Sequence, residues 1–295
     1  MSATAAVFAY HDVGARCLRV LLEHGVDVPL VATHHDDPGE NVFFESVAKV
    51  AREHRLEVDV PDDPNAPEFL KRLQAIAPDF IFSFYYRRML SPALLAAARR
   101  GAYNMHGSLL PRYRGRAPVN WAILRGEHET GATLHEMVAK PDAGGILGQE
   151  AVPIGENDLA IDVFRRVTDA AESVLRRVLP ELLDGSARAV PQDLASGSYF
   201  GARRPEDGRI DWQRPAREIH DLVRAVAPPY PGAFATLGGR PARILQTWWG
   251  ELPAGLPAQG APGDSASASG RHFVRCGDGR WLEVLRLEIM GESGA

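Results

Sequence analysis

Lysine is nearly missing from this 295-residue chain: it occurs only at Lys49, Lys71 and Lys140, and arginine supplies the rest of the positive charge. That bias, with abundant alanine, reflects genome composition and points to no function. Cysteine is scarcer still. Cys17 and Cys276 stand far apart, which excludes a disulfide framework and a cysteine-built metal site, and leaves two buried thiols in a reducing compartment. No apolar run reaches the roughly 18 residues that a membrane-spanning helix needs. The opening MSATAAVFAYHD lacks both the basic and the long apolar region of a secretory signal. These absences place the protein in the cytoplasm, with no membrane partner. A net charge of −5 removes any global basic field for nucleic acid.

Two nucleotide signatures are also missing. No G-x-G-x-x-G follows a strand and no G-x-x-x-x-G-K-[ST] occurs, so a parallel sheet here would be no argument for NAD or ATP. His135-Glu136-x-x-Ala139 opens like a zinc-protease helix but lacks the second histidine and falls in a strand-like run. His34-His35-Asp36-Asp37 reads as an exposed polar loop. No metal is expected.

What is present is a regular alternation. Short apolar runs at Ala5 to Tyr10, Val28 to Thr33, Leu56 to Val60, Phe80 to Tyr85 and Ala102 to Met105 read as strands. Helical patterns separate them: Ala15 to His24, stopped by Gly25; Asn41 to His54, with Asn41 as N-cap; Pro67 to Ala77; and one opened by Ser91-Pro92. Strands alternating with helices imply βαβ units, and hence an α/β, Rossmann-like, mostly parallel sheet over residues 1–204. Two further strands, Thr130 to Val138 and Ile146 to Ile154, precede a long amphipathic helix from Ile161 to Leu183. Beyond residue 205 the texture becomes rich in proline and glycine, with one helix at Pro215 to Val226 and short strands near Ala233, Ala242, Phe273 and Trp281. A second, smaller, β-rich and OB-like domain is expected over residues 205–295. Leu252 to Gly270 reads as a mobile loop.

An α/β sheet of this kind binds its ligands beyond the carboxyl ends of its strands. That singles out Tyr85 to Arg88 and the segment GAYNMHGSLLPRYRGRAP at 101–118. Asn104 and His106, two apart on an extended strand, point to one face. Pro111 and Pro118 stiffen the following loop, and Arg112, Arg114 and Arg116 could meet an anion. A second segment, Met137 to Gly145, sets Asp142 in a glycine-rich turn. Alone, Asp142 would be a turn former and Asn-x-His a satisfied polar pair.

Taken together, Asn104-x-His106, Ser108-Leu109-Leu110-Pro111, Arg114-Gly115 and Asp142-x-Gly144 resemble the folate-dependent formyltransferases, over nearly the whole chain. Within that family, Phe8 to Asp12, Phe82 to Arg87, Tyr113 to Pro118 and Ala225 to Phe234 are most similar to the formyltransferase domains of bifunctional polymyxin-resistance proteins, which act in lipid A modification. The resemblance implies formyl transfer from N10-formyltetrahydrofolate to the 4-amino group of an amino-sugar nucleotide, UDP-4-amino-4-deoxy-L-arabinose. It implies catalytic roles for Asn104 and His106 at the oxyanion, and for Asp142 in orienting His106. It implies folate contacts at Arg88, Met89, Leu90, Arg116 and the turn Val138, Ala139, Lys140, Pro141 and Asp142. The NAD-dependent decarboxylase part of those bifunctional proteins has no counterpart here and would be a separate polypeptide.

Two other readings compete. A methionyl-tRNA formyltransferase should present a basic surface for phosphates, yet residues 200–295 carry 12 Arg against 11 Asp or Glu. A folate-binding sensor without turnover would not need the joint set of Asn104, His106 and Asp142.

Overall fold

A computed structural model describes residues 2–39 and 41–290. The elements run β1 Thr4–Ala9, α1 His11–Glu23, β2 Asp27–Ala32, α2 Val47–Glu53, β3 Val58–Asp59, α3 Pro67–Ile76, β4 Phe80–Phe84, α4 Pro92–Leu95, β5 Gly101–His106, β6 Arg114–Gly115, α5 Pro118–Leu124, β7 Glu129–Glu136, β8 Ile146–Pro153 and α6 Ala160–Asp184. They continue with β9 Tyr199–Phe200, α7 Ala216–Val226, β10 Ala233–Leu237, β11 Arg240–Trp248, β12 Ser265–Ala268, β13 Arg271–Arg275 and β14 Trp281–Ile289.

Seven strands form one sheet in the order β3-β2-β1-β4-β5-β7-β8. The pairs from β3 through β5 are parallel, and β7 joins β5 antiparallel. Strands β1 and β4 are buried on both faces, which is why they read as continuous apolar runs rather than alternating ones. On one face Ala6, Phe8, Leu30, Ala32 and Ile81 pack with Phe69, Leu73 and Leu94 from α3 and α4. The strand order reverses between β1 and β4, and in open α/β sheets ligands bind beyond the carboxyl ends of the strands at such a reversal.

A second sheet is antiparallel, in the order β10-β11-β14-β13-β12. Helix α7 covers it with Ala216, Ile219, Val223 and Val226, a stripe at helical spacing that meets Ala233, Ile244, Val274 and Leu282. By contact density the chain forms two compact units. One comprises residues 1–115, 130–152 and 166–200; the other comprises residues 116–129, 153–165 and 201–295. Among the described residues no helix is long and apolar enough to cross a membrane.

Two local expectations fail. Helix α2 begins at Val47 rather than Asn41, and its cap is Ser46, whose side chain accepts from the Lys49 amide at 3.3 Å. Tertiary bonds hold the preceding segment out of the helix: Asp12 accepts from the Glu45 amide at 2.8 Å, and Arg19 grips the Glu45 carboxylate at 2.7 and 2.5 Å. The stretch from Leu252 to Gly270 is not all loop, because Ser265–Ala268 pairs with β13. Ser269 and Gly270 both take positive φ, 51° and 73°, as a two-residue hairpin turn requires.

Candidate active site

The site is built on the edge where β5 meets β7. The antiparallel register sets Asn104 opposite His135 and His106 opposite Thr133. Because side chains alternate along a strand, these four polar groups share one face of an otherwise apolar sheet. Thr133 is fully buried and ties down the loop after β5: its hydroxyl donates to Ser108 O at 2.6 Å and accepts from the Leu110 amide at 3.2 Å. Gln149 on β8 donates to the same hydroxyl at 2.9 Å and to Leu110 O at 2.8 Å.

His106 is buried, and its Nε2 lies 2.8 Å from Tyr113 O. A carbonyl only accepts, so Nε2 carries a proton and Nδ1 is the nitrogen left to exchange one. Nδ1 stands 3.6 Å from Asp142 Oδ1, a charge-pairing distance longer than a hydrogen bond. The same carboxylate oxygen lies 3.6 Å from His135 Nε2. His135 donates from Nδ1 to Glu136 O at 2.7 Å, and Asn104 Nδ2 lies 3.0 Å from its Nε2. That bond aims one N–H of the Asn104 amide at His135 and leaves its second N–H for another acceptor. An imidazole and an amide from one strand thus meet a carboxylate from a separate loop, with a second imidazole as their common neighbour.

Asp142 is held from the far side as well. Its Oδ2 accepts from the Gly115 amide at 2.8 Å, and its own backbone sits in the left-handed region at φ 50°. Burial pushes its carboxyl pKa up, but the pull of the facing His106 and His135 imidazoles and of the Gly115 N–H outweighs burial and holds it well below the ordinary carboxylate range. Asp142 is therefore an anion at any physiological pH. Gly115 has no alternative side chain: its φ is 99°, and a Cβ there would strike the Phe200 carbonyl oxygen across the β6–β9 ladder.

The residues expected at the folate fall on loops. Arg88 and Met89 are exposed after β4, Met89 at 58%, and Asn65 Nδ2 donates to Met89 O at 3.0 Å. Leu90 turns inward and packs in the core beside Phe8 and Leu94, so only its backbone could face a ligand. Val138, Ala139 and Lys140 are exposed, Pro141 is half-buried, and Arg116 is exposed just past Gly115. No bond ties Arg88, Met89 or Leu90 directly to Asn104, His106 or Asp142 among the described residues.

His135 is the group that sequence reasoning missed. Its Glu136 neighbour suggested a broken zinc motif. The usable signal was the alternation Thr133-x-His135 on a strand opposite Asn104-x-His106.

Convergent acid–base and amide groups at the rim of a largely parallel sheet define an enzyme of group transfer. The chain belongs to the formyl transferase family: the formyl transferase domain matches residues 14–179, and the formyl transferase C-terminal domain matches residues 203–293. Solved structures share the fold. An N-formyltransferase from Helicobacter canadensis, in complex with folinic acid and dTDP-3-aminofucose, superposes with a TM-score of 0.73 at 20% identity, covering 96% of this chain and 99% of that one. WlaRD, a sugar 3N-formyltransferase in the presence of dTDP and 5-N-formyl-THF, gives 0.74 at 19% identity, covering 96% and 97%. HypX from Aquifex aeolicus, in complex with tetrahydrofolic acid, gives 0.65 at 17% identity, covering 98% of this chain but 44% of that longer one.

Proposed function

We propose that this formyltransferase moves the formyl group of N10-formyltetrahydrofolate to the amino group of an amino-sugar nucleotide, UDP-4-amino-4-deoxy-L-arabinose being the acceptor the sequence favours. One observation carries the reading: Asn104, His106 and Asp142 converge at the rim of the sheet, with two donors and one fixed anion. The solved relatives that bind a folate together with dTDP or a dTDP-amino sugar support both the donor and the acceptor class.

The chemistry follows from the groups. The acceptor nitrogen attacks the formyl carbon, and negative charge develops on the formyl oxygen. The second N–H of Asn104 is placed to receive that charge, and His106 Nδ1–H joins it once Nδ1 has taken the proton of the attacking nitrogen. The attacking nitrogen must lose a proton and the departing N10 must gain one. His106 Nδ1 performs this transfer, since Nε2 is committed to the Tyr113 carbonyl. The ionised Asp142 stabilises the imidazolium each time it forms. The new C–N bond forms and the C–N10 bond breaks, with no net proton left on the protein. The turn Val138 to Asp142 and the loop Arg88 to Leu90 line the pterin in this reading.

An acceptor screen tests it. The protein is incubated with N10-formyltetrahydrofolate, and free tetrahydrofolate is followed with UDP-4-amino-4-deoxy-L-arabinose, with a dTDP-amino sugar, with charged initiator methionyl-tRNA, and with no acceptor. Release that depends on a sugar nucleotide is expected. Release with the tRNA alone would replace this acceptor by the tRNA. Release without any acceptor would make the protein a hydrolase, and no release in any arm would make it a folate sensor.

A further inference from the structure

We infer that Arg114 is the receptor for the diphosphate of the acceptor, and that Tyr199 presents its ring to the base of the same nucleotide. The inference rests on the sugar-nucleotide reading above and assigns where that nucleotide is gripped.

Arg114 is 8% exposed, its Nε is buried without a hydrogen-bond partner, and among the described residues no carboxylate pairs with it. A guanidinium cannot shed its proton, so the positive charge persists with its buried Nε left without a partner. Buried charges elsewhere in this chain are paired: Arg224, 1% exposed, holds Asp221 at 2.8 Å and Gly155 O at 3.0 Å. Leaving one unpaired is costly, and a bound anion removes that cost. The planar fork of arginine suits a phosphate or a carboxylate.

Its place in the fold decides which anion. The Arg114 amide donates to Ser198 O at 3.0 Å, the Tyr113 amide donates to Ser198 Oγ at 2.8 Å, and the Gly115 amide holds Asp142. Arg114 is thus locked one residue from the anchor of the catalytic carboxylate. In an amino-sugar nucleotide the diphosphate hangs from the same pyranose ring as the reacting amine. The glutamate carboxylates of a folate lie farther off, beyond the aminobenzoyl ring. The anion that must sit close to the transfer centre is the diphosphate.

Tyr199 supplies the second half. It is the cross-strand partner of Arg114 in the β6–β9 ladder, and it is 58% exposed although aromatic. Partners directly opposite in a ladder carry their side chains on one face. A charged fork and an open ring on paired residues of one ladder match a nucleoside diphosphate, whose base stacks while its phosphates pair.

Calorimetric titration with UDP and with dTDP, alongside steady-state kinetics, tests this on wild type, Arg114→Gln, Arg114→Lys and Tyr199→Ala. For Arg114→Gln the diphosphate Kd and the KM for the sugar nucleotide should rise at least about tenfold, the scale of a charge-assisted bond. The KM for N10-formyltetrahydrofolate should stay within about twofold. Arg114→Lys keeps the charge and the fold but not the fork, and should fall between the two. Tyr199→Ala should weaken binding of both diphosphates several-fold. Unchanged diphosphate binding in Arg114→Gln and Arg114→Lys would overturn the assignment, as would a rise in the folate KM instead of the acceptor KM. So would a wild type that binds neither diphosphate. The two readings fail separately: diphosphate binding that needs Arg114, in a protein that formylates no amino sugar, sinks the acceptor and keeps this site.

Discussion

Two buried histidines, one in each compact unit, begin alike and end in different chemistry. His106 and His220 each set Nε2 2.8 Å from a backbone carbonyl, Tyr113 O for one and Glu156 O for the other. Their second nitrogens differ. His106 Nδ1 faces the ionised Asp142 at 3.6 Å, close enough to feel the charge and too far to be bound. His220 Nδ1 is bound, 2.8 Å from the Thr247 hydroxyl, and its charged neighbours are Arg224 and Arg217. Burial first, and then those two guanidiniums, push the His220 pKa down to about 4 against the opposing pull of the Glu156 carbonyl. One imidazole faces a carboxylate across its second nitrogen, and the other faces guanidiniums and is held neutral. Burial and a carbonyl bond are common to both histidines; what differs is the sign of the charge facing the second nitrogen.

The sharpest way to break the comparison is substitution. His106→Ala should lower turnover by about 10²–10³, the usual cost of one oxyanion or acid–base group, while the fold is retained. Turnover within threefold of wild type would remove His106 from its role. Gly115→Ala should damage both activity and stability, because it forces a side chain at φ 99° into the Phe200 carbonyl and displaces the N–H that anchors Asp142. A loss of about 1–3 kcal/mol by denaturant titration is expected from the strain alone. His220→Ala should cost about 1–3 kcal/mol through the orphaned Glu156 carbonyl and Thr247 hydroxyl, while turnover stays unchanged.

The pH dependence sharpens the contrast. The unfolded His220 takes up a proton below its ordinary value of 6.5, whereas the folded one resists until about 4. Its contribution to stability is therefore complete above pH 6.5 and lost as pH falls from there toward 4. His34 and His11, lowered chiefly by burial to about 4 and about 3, act in the same direction. The stability gap between wild type and His220→Ala should narrow between pH 7 and pH 5, measured by urea unfolding. A gap that widens on acidification would reverse the account of His220. The smallest effect belongs to Thr247→Val: about 1 kcal/mol of stability and no change in turnover.

How much of this could be read from the residues alone varied with how local the cause was. The parallel sheet was legible because β1 and β4 are uniformly apolar and bracketed by helical spacing. The strand bearing Asn104 and His106 was legible for the same reason, and the loop bearing Asp142 through its glycines. The start of α2 was not legible, since Arg19 and Asp12 hold Glu45 from α1 and no local pattern marks that. Strand β12 was not legible, because Ser-Ala-Ser-Ala has no apolar alternation and pairs only through its backbone with β13. His135 escaped because its meaning lies across the ladder, opposite Asn104, rather than along its own strand.

The central claim is that Asp142 acts through His106, and a double-mutant cycle on formyl transfer tests it most directly. Turnover of His106→Ala, Asp142→Asn and the double variant is measured at saturating folate and acceptor. Groups that act as one unit are not additive. The account predicts that Asp142→Asn is strongly impaired in the wild-type background and that the double variant is no slower than His106→Ala within about threefold. Losses that multiply would show the carboxylate working independently of the imidazole and would contradict the account.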